Sequence, residues 1–230
     1  FGNILAAYYA KQMGLPIGKL ICASNDNKVL YDFFQTGCYD RNREFKLTSS
    51  PSMDILISSN LERLIYQIAD QSDEMDRSLM KDLAEKGCYE ITPAMEERLG
   101  DFYGGYSEEV EAAESIRSLY QSVGYVIDTH TAVASSVYQK YRRETKDSTK
   151  TVIVSTASPF KFTRSVMEAA GRASESVDDF ALVDELSRLS GVAVPKAVEE
   201  IREAEVLHHT VVDPAQMKET VKKFLLQTGE

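Results

Sequence analysis

An α/β fold with a parallel sheet and flanking helices is what the sequence predicts, and three observations predict it. Short apolar runs alternate with helix-period segments over residues 1–50, the links between them are short, and a β-branched run, TVIVSTASP, follows at Thr151. Ile4, Leu5, Tyr8, Tyr9 and Met13 recur at helical spacing, and Gly14-Leu15-Pro16 supplies a C-cap and then a breaker, so a helix is expected from near the start to Met13. LICAS (Leu20 to Ser24) predicts a buried strand, Asn27 to Phe34 returns to helical spacing until Gly37, and EFKLTSS predicts another strand.

From Asn60 to about Val123 the pattern is helical almost throughout, in NLERLIYQIADQ, EMDRSLMKDLAEKG and SEEVEAAESIRSLYQSVG. The last carries an N-cap at Ser107 and acids in its first turn. This stretch, about residues 60–125, reads as a helical layer or insertion. DTHTAVASSVYQKYRRE predicts a further helix. TVIVSTASP, dominated by β-branched residues, is the strongest candidate for a buried strand, and LHHTVV reads as a late strand. Helices are expected around Arg164 to Ala170, Asp178 to Leu189, Pro195 to Ala204 and Pro214 to Leu226. No repeat or linker divides the chain, so residues 1–230 read as part of one catalytic-size body with no clear internal boundary.

Composition narrows the function classes. With 43% hydrophobic and 27% charged residues the chain is globular. A net charge of -10 repels phosphate backbones, which disfavours nucleic acid or an anionic membrane as a partner and means that any phosphate ligand is held locally. No apolar run approaches the roughly 20 residues that span a bilayer, and the expected compartment is the cytosol. Cys22, Cys38 and Cys88 lack the close spacing of metal or redox motifs and read as reduced thiols.

Chemistry concentrates in a few places. Phe1-Gly2-Asn3 directly before a helix puts free backbone N–H groups and the positive end of the helix dipole beside a glycine that admits close approach, an anion site in outline. Ser155, Thr156 and Ser158 cluster at the expected carboxyl end of TVIVS, where open parallel sheets bind ligands; capping of the next helix is the competing reading. Ser24-Asn25-Asp26-Asn27 is read in the same two ways. His130, in the first turn of a helix, invites a general-base role, with loop orientation as the alternative. His208-His209 lacks further metal ligands at a recognisable spacing, and the acid-rich tracts from Asp70 to Asp76 and Glu108 to Glu114 read as solvated helix faces.

The segments FGN followed by ILAAYYAKQMGLPIGKLICASNDNKVLYDFF, then REFKLTSSPSMDILISSNLERLIY, DTHTAVA and STASPFKF, together resemble threonine synthases of the fungal and bacterial type, in the same order and at similar spacing. The resemblance is specific through about Tyr66 and from Asp128 to Phe162. It implies a C-terminal portion of a tryptophan-synthase-β-like (fold type II) domain that binds pyridoxal 5′-phosphate (PLP) and converts O-phospho-L-homoserine and water into L-threonine and phosphate by γ-elimination and β-addition. The family's phosphate loop is Gly-Asn-Phe-Gly-Asn; Phe1, Gly2 and Asn3 match its last three positions, and Thr156 matches the threonine that meets the pyridine nitrogen. None of Lys11, Lys28 or Lys161 stands where the family places its Schiff-base lysine, so no catalytic residue is assigned here and that lysine is expected upstream. The portion alone is then expected to be inactive, and to self-associate, to bind the missing N-terminal portion, or to be an ordered part of a longer chain. Ser158 and Phe160 replace a His and an Ala of the common strand-end motif, and Thr129 replaces a Pro before His130. A non-catalytic anion-binding or interaction domain on the same scaffold is the alternative.

Overall fold

The computed structural model describes residues 1–172 and 178–227, which fall into two compact units, 1–193 and 194–230. In the first, helix α1 (Gly2–Gln12) ends at Gly14, whose φ of +100° only glycine adopts without strain. Strand β1 (Leu20–Ser24) follows, then α2 (Val29–Thr36), closed by Gly37 in the left-handed region, as the sequence predicts. Strand β2 (Cys38–Asp40) comes next. Helices α3 (Leu61–Ile68) and α4 (Asp73–Glu85) run to β3 (Cys88–Glu90), α5 (Pro93–Glu97) and β4 (Phe102–Tyr106). Helices α6 (Glu109–Val123), α7 (Thr129–Thr145), α8 (Thr163–Ala169) and α9 (Asp179–Ser190) complete the unit.

Strands β1 and β4 pair in parallel from Leu20↔Phe102 to Ser24↔Tyr106. The pair is covered on both faces. A Cβ on Gly104 would stand 2.7 Å from Cβ of Phe34 in α2, and one on Gly105 would stand 2.5 Å from Cγ1 of Val137 in α7. These adjacent glycines therefore let a helix lie close on each side of the sheet. Burial pushes the Cys22 thiol up to about 12, which marks it as an inert core residue. Helix α3 buries Leu61, Leu64, Ile65 and Ile68, one stripe at helical spacing. The core continues into β2 and β3, an antiparallel pair in which the Tyr39 and Tyr89 rings stack with centroids 5.3 Å apart.

Several expectations are corrected. The span 60–125 is mostly helical but contains β3 and β4, which its helical periodicity hid. Helix α6 starts one residue later than expected: Glu108, not Ser107, is its N-cap, and with Glu111 it forms a capping box. EFKLTSS is a loop. So is Thr151–Ser158, which pairs with no strand among the described residues and leaves Val152 and Val154 exposed. β-Branched composition suits a pleated surface but cannot replace the neighbouring strand that satisfies backbone N–H and C=O groups. LHHTVV, in the second unit, is likewise exposed and without strand pairing.

That second unit contains α10 (Lys196–Arg202), a 3-10 turn at Pro214–Gln216 and α11 (Met217–Gln227), with Lys196–Glu200 and Lys222–Glu219 ion pairs on its surface. No described helix is long and apolar enough to cross a membrane.

Candidate functional site

In parallel sheets the carboxyl ends of the strands open onto the loops, and here those loops carry a dense polar network. Asn25, immediately after β1 and 1% exposed, donates from Nδ2 to Asp54 Oδ1 at 2.7 Å and accepts the Asn27 N–H at Oδ1 at 3.1 Å. Asn27 donates to the same Asp54 oxygen at 3.1 Å and binds the Lys46 backbone through both ends of its amide. Asp54 also accepts from the Thr48 backbone N–H at 2.9 Å and the Thr48 hydroxyl at 2.7 Å. A carboxylate with this many donors is well compensated for its desolvation, and it fixes the loop of residues 46–54 against the end of β1.

Two further elements lock the same loop. The Ser49 N–H donates to Glu109 Oε2 at 3.0 Å at the start of α6, and the Ser52 N–H donates to His130 Nε2 at 3.0 Å in the first turn of α7. Asp128 caps α7, accepting the His130 and Thr131 N–H groups at 2.8 and 3.2 Å. It also accepts from the Thr131 hydroxyl. Burial pushes the Asp128 carboxyl up, but the bonds from His130 and Thr131 more than offset that and hold it below the ordinary aspartate value. The His130 ring rests on Phe162, centroids 4.7 Å apart. Beside this network lies a cleft of about 580 Å³ lined by Thr48, Ser49, Glu109, Arg117, Thr129 and Ser165, among others.

The expected site residues are placed as follows. Phe1 is the N-cap of α1 and its ring stacks on Phe34 and Phe102; Gly2 and Asn3, both exposed, open the helix. The Leu5 N–H donates to the Phe1 carbonyl at 3.1 Å to close the first turn, which holds no acid. Asn60 lies over Gly2, 3.5 Å from where a Cβ would be. Ser24 ends β1 with its hydroxyl buried and without a hydrogen-bond partner among the described residues. Ser155 meets Thr131, hydroxyl to hydroxyl, at 2.8 Å, which brings the segment after residue 150 to the first turn of α7. Ser158 caps the 3-10 turn Pro159–Phe162 through the Phe160 N–H, so capping is the role the structure gives it. Thr156 is exposed, lies in the unpaired segment rather than at a strand end, and shares no hydrogen bond with Phe1–Asn3 among the described residues. His130 does not face an open site with a free nitrogen, because a backbone N–H occupies Nε2. Lys11, Lys28 and Lys161 engage local groups: Lys11 pairs with Asp101 at 2.8 Å, and Lys28 and Lys161 lie over the rings of Tyr106 and Phe162.

Residues 131–212 match the family model described as threonine synthase, C-terminal. The chain is 44% identical over 171 residues to human threonine synthase-like 1, covering 74% of this chain and 23% of that protein. The chain belongs to the threonine synthase family. Its backbone superposes on the crystal structure of yeast threonine synthase with a TM-score of 0.81 at 28% identity, over 99% of this chain and 46% of that one. For the threonine synthase from Brucella melitensis, a crystal structure described as PLP-bound, the TM-score is 0.68 at 34% identity, over 87% of this chain and 43% of that one. The chain thus spans about a quarter of the human relative and under half of these threonine synthases. The parallel-sheet fold with flanking helices is the fold of this family.

Sequence reasoning reached the first turn of α1 and His130 but missed Asp54 as the hub of the network. The signal was present: Asn25-x-Asn27 after a strand, followed at Thr48 to Asp54 by a hydroxyl-rich loop ending in a carboxylate, supplies complementary donors and acceptors.

Proposed function

We propose that the protein carrying this chain is a PLP-dependent threonine synthase that converts O-phospho-L-homoserine and water into L-threonine and phosphate. The observation that carries this reading is the 34% identity, over 87% of the chain, to a threonine synthase described as PLP-bound. The residues present fit the cofactor's phosphate. Gly2 and Asn3 open an 11-residue helix, so their N–H groups precede the first intrahelical bond, and with no acid in that turn an anion meets only the positive helix end. The orphaned Ser24 hydroxyl is a further polar atom that a group bound near the strand ends can satisfy.

Under this reading Phe1, Gly2 and Asn3 hold the phosphate, and the Thr156 hydroxyl meets the pyridine nitrogen. When bound, PLP supplies the electron sink for the elimination of phosphate and the addition of water. A threonine hydroxyl, unlike a carboxylate, does not hold the ring nitrogen protonated, so Thr156 moderates that sink. Residues 46–54, anchored by Asp54, wall the crevice. The Schiff-base lysine is supplied from outside these residues, and the protein works in the cytosol.

The test is on the full-length protein. Phosphate release from O-phospho-L-homoserine with stoichiometric threonine is expected, and Gly2→Val, which crowds the approach to the amides, should weaken PLP binding by about tenfold. Thr156→Asp should change the cofactor's absorption spectrum by protonating the ring nitrogen. The second reading is a non-catalytic anion-binding domain. It is favoured by Ser158 and Phe160 standing in place of family residues. PLP binding without any threonine formed would establish it.

A further inference from the structure

The contacts of His130 define its proton state. Its Nε2 lies 3.0 Å from the Ser52 backbone nitrogen, a group that can only donate, so Nε2 is the bare, accepting nitrogen of the ring. The proton of the neutral imidazole then sits on Nδ1, which faces Asp128 Oδ1 at 3.4 Å and the Thr129 hydroxyl at 3.4 Å. Asp128 is fixed in turn by the α7 N–H groups and Thr131. The ring itself is buried, 8% exposed, against Phe162.

We propose that His130 is a positioning residue: a neutral Nδ1–H imidazole, oriented by Asp128, that clamps the Pro51–Met53 turn and with it the loop of residues 46–54 over the carboxyl ends of the parallel strands. The juxtaposition that carries this is a one-sided chain, carboxylate to imidazole to backbone N–H, joining residues 78 positions apart. It does not depend on the reaction proposed above, since the clamp exists whether or not threonine is made.

The clamp has a built-in dependence on protonation. An imidazolium carries N–H on both nitrogens, so protonation at Nε2 removes the acceptor and sets two donors against each other at Ser52. Asp128 on α7 faces Nδ1 at 3.4 Å, and Lys161 Nζ lies over the ring of Phe162, against which the imidazole packs, at 5.5 Å. On the clamped loop Asp54 is saturated by Asn25, Asn27 and Thr48, and Glu109 of α6 is held by the Ser49 N–H.

The experiment uses the full-length protein with His130→Gln and His130→Ala. The Gln side chain places a carbonyl oxygen near the Nε2 position and does not titrate; Ala removes the acceptor. Nitrogen-15 correlation spectra of the ring should show a protonated Nδ1 and a bare Nε2 in the neutral form. Hydrogen exchange at the Ser52 amide should be slow in the wild type and in His130→Gln, and on the order of tenfold faster in His130→Ala, as expected for a hydrogen-bonded donor that loses its partner. In the wild type alone, exchange relative to His130→Gln should rise through the measured titration of His130. A neutral ring protonated at Nε2, or a Ser52 amide equally protected in all three proteins, overturns the proposal. So does His130→Gln exchanging as fast as His130→Ala.

Discussion

LICAS at residues 20–24 and TVIVS at 151–155 look alike as sequences, both short and apolar, yet the first is a buried strand and the second an exposed, unpaired segment. If composition decided the matter, TVIVS, richer in β-branched residues, would be the better strand. What separates them is the neighbour. β1 has β4 in register along its whole length and a helix pressed on each face through Gly104 and Gly105, whereas among the described residues no strand runs beside TVIVS. A strand is a pairing, not a propensity, because each extended residue exposes backbone groups that only a partner or water can satisfy.

The comparison can be broken most forcefully at its glycines. Gly105→Val drives Cβ into the fully buried Val137, and a loss of about 3 kcal/mol in chemical denaturation is expected from such overpacking. A neutral result would mean that α7 does not lie tightly on β1 and β4. Next comes the polar end of β1. Asn25→Ala strips donors from Asp54 and Thr48 in a buried setting, and about 2 kcal/mol should be lost on the same measurement.

Acid unfolding gives a smaller effect of known sign. The Asp128 pKa is lowered in the folded chain, so its contribution is fully present above the unfolded aspartate value, about 4, and is lost as pH falls through the lower folded value. Asp128→Asn, which keeps a good N-cap, should flatten the acid limb of stability below about pH 4 and leave its slope near neutrality unchanged. An unaltered acid limb would show that the carboxylate is not differentially stabilised. The smallest effect belongs to TVIVS: Val152→Thr and Val154→Thr in this chain should each change stability by less than about 0.5 kcal/mol. A substantially larger loss on denaturation would reveal that the segment is covered by a partner in solution.

Local signals in the sequence identified what depends on local physics. Gly14 and Gly37 mark helix ends because left-handed φ is cheap only for glycine, the stripe Leu61, Leu64, Ile65 and Ile68 marks a buried face because 3.6 residues make a turn, and Phe1–Asn3 marks a helix start because N–H groups there lack acceptors. The family motifs were equally local and legible. Tertiary structure alone decided which apolar run became a strand, that Phe102–Tyr106 within a helical span would pair with β1, and that Asn25, Thr48, Asp54 and His130 would meet. Those outcomes rest on partners distant in the chain, and a hydrogen bond between residues 52 and 130 leaves no periodic trace in either segment.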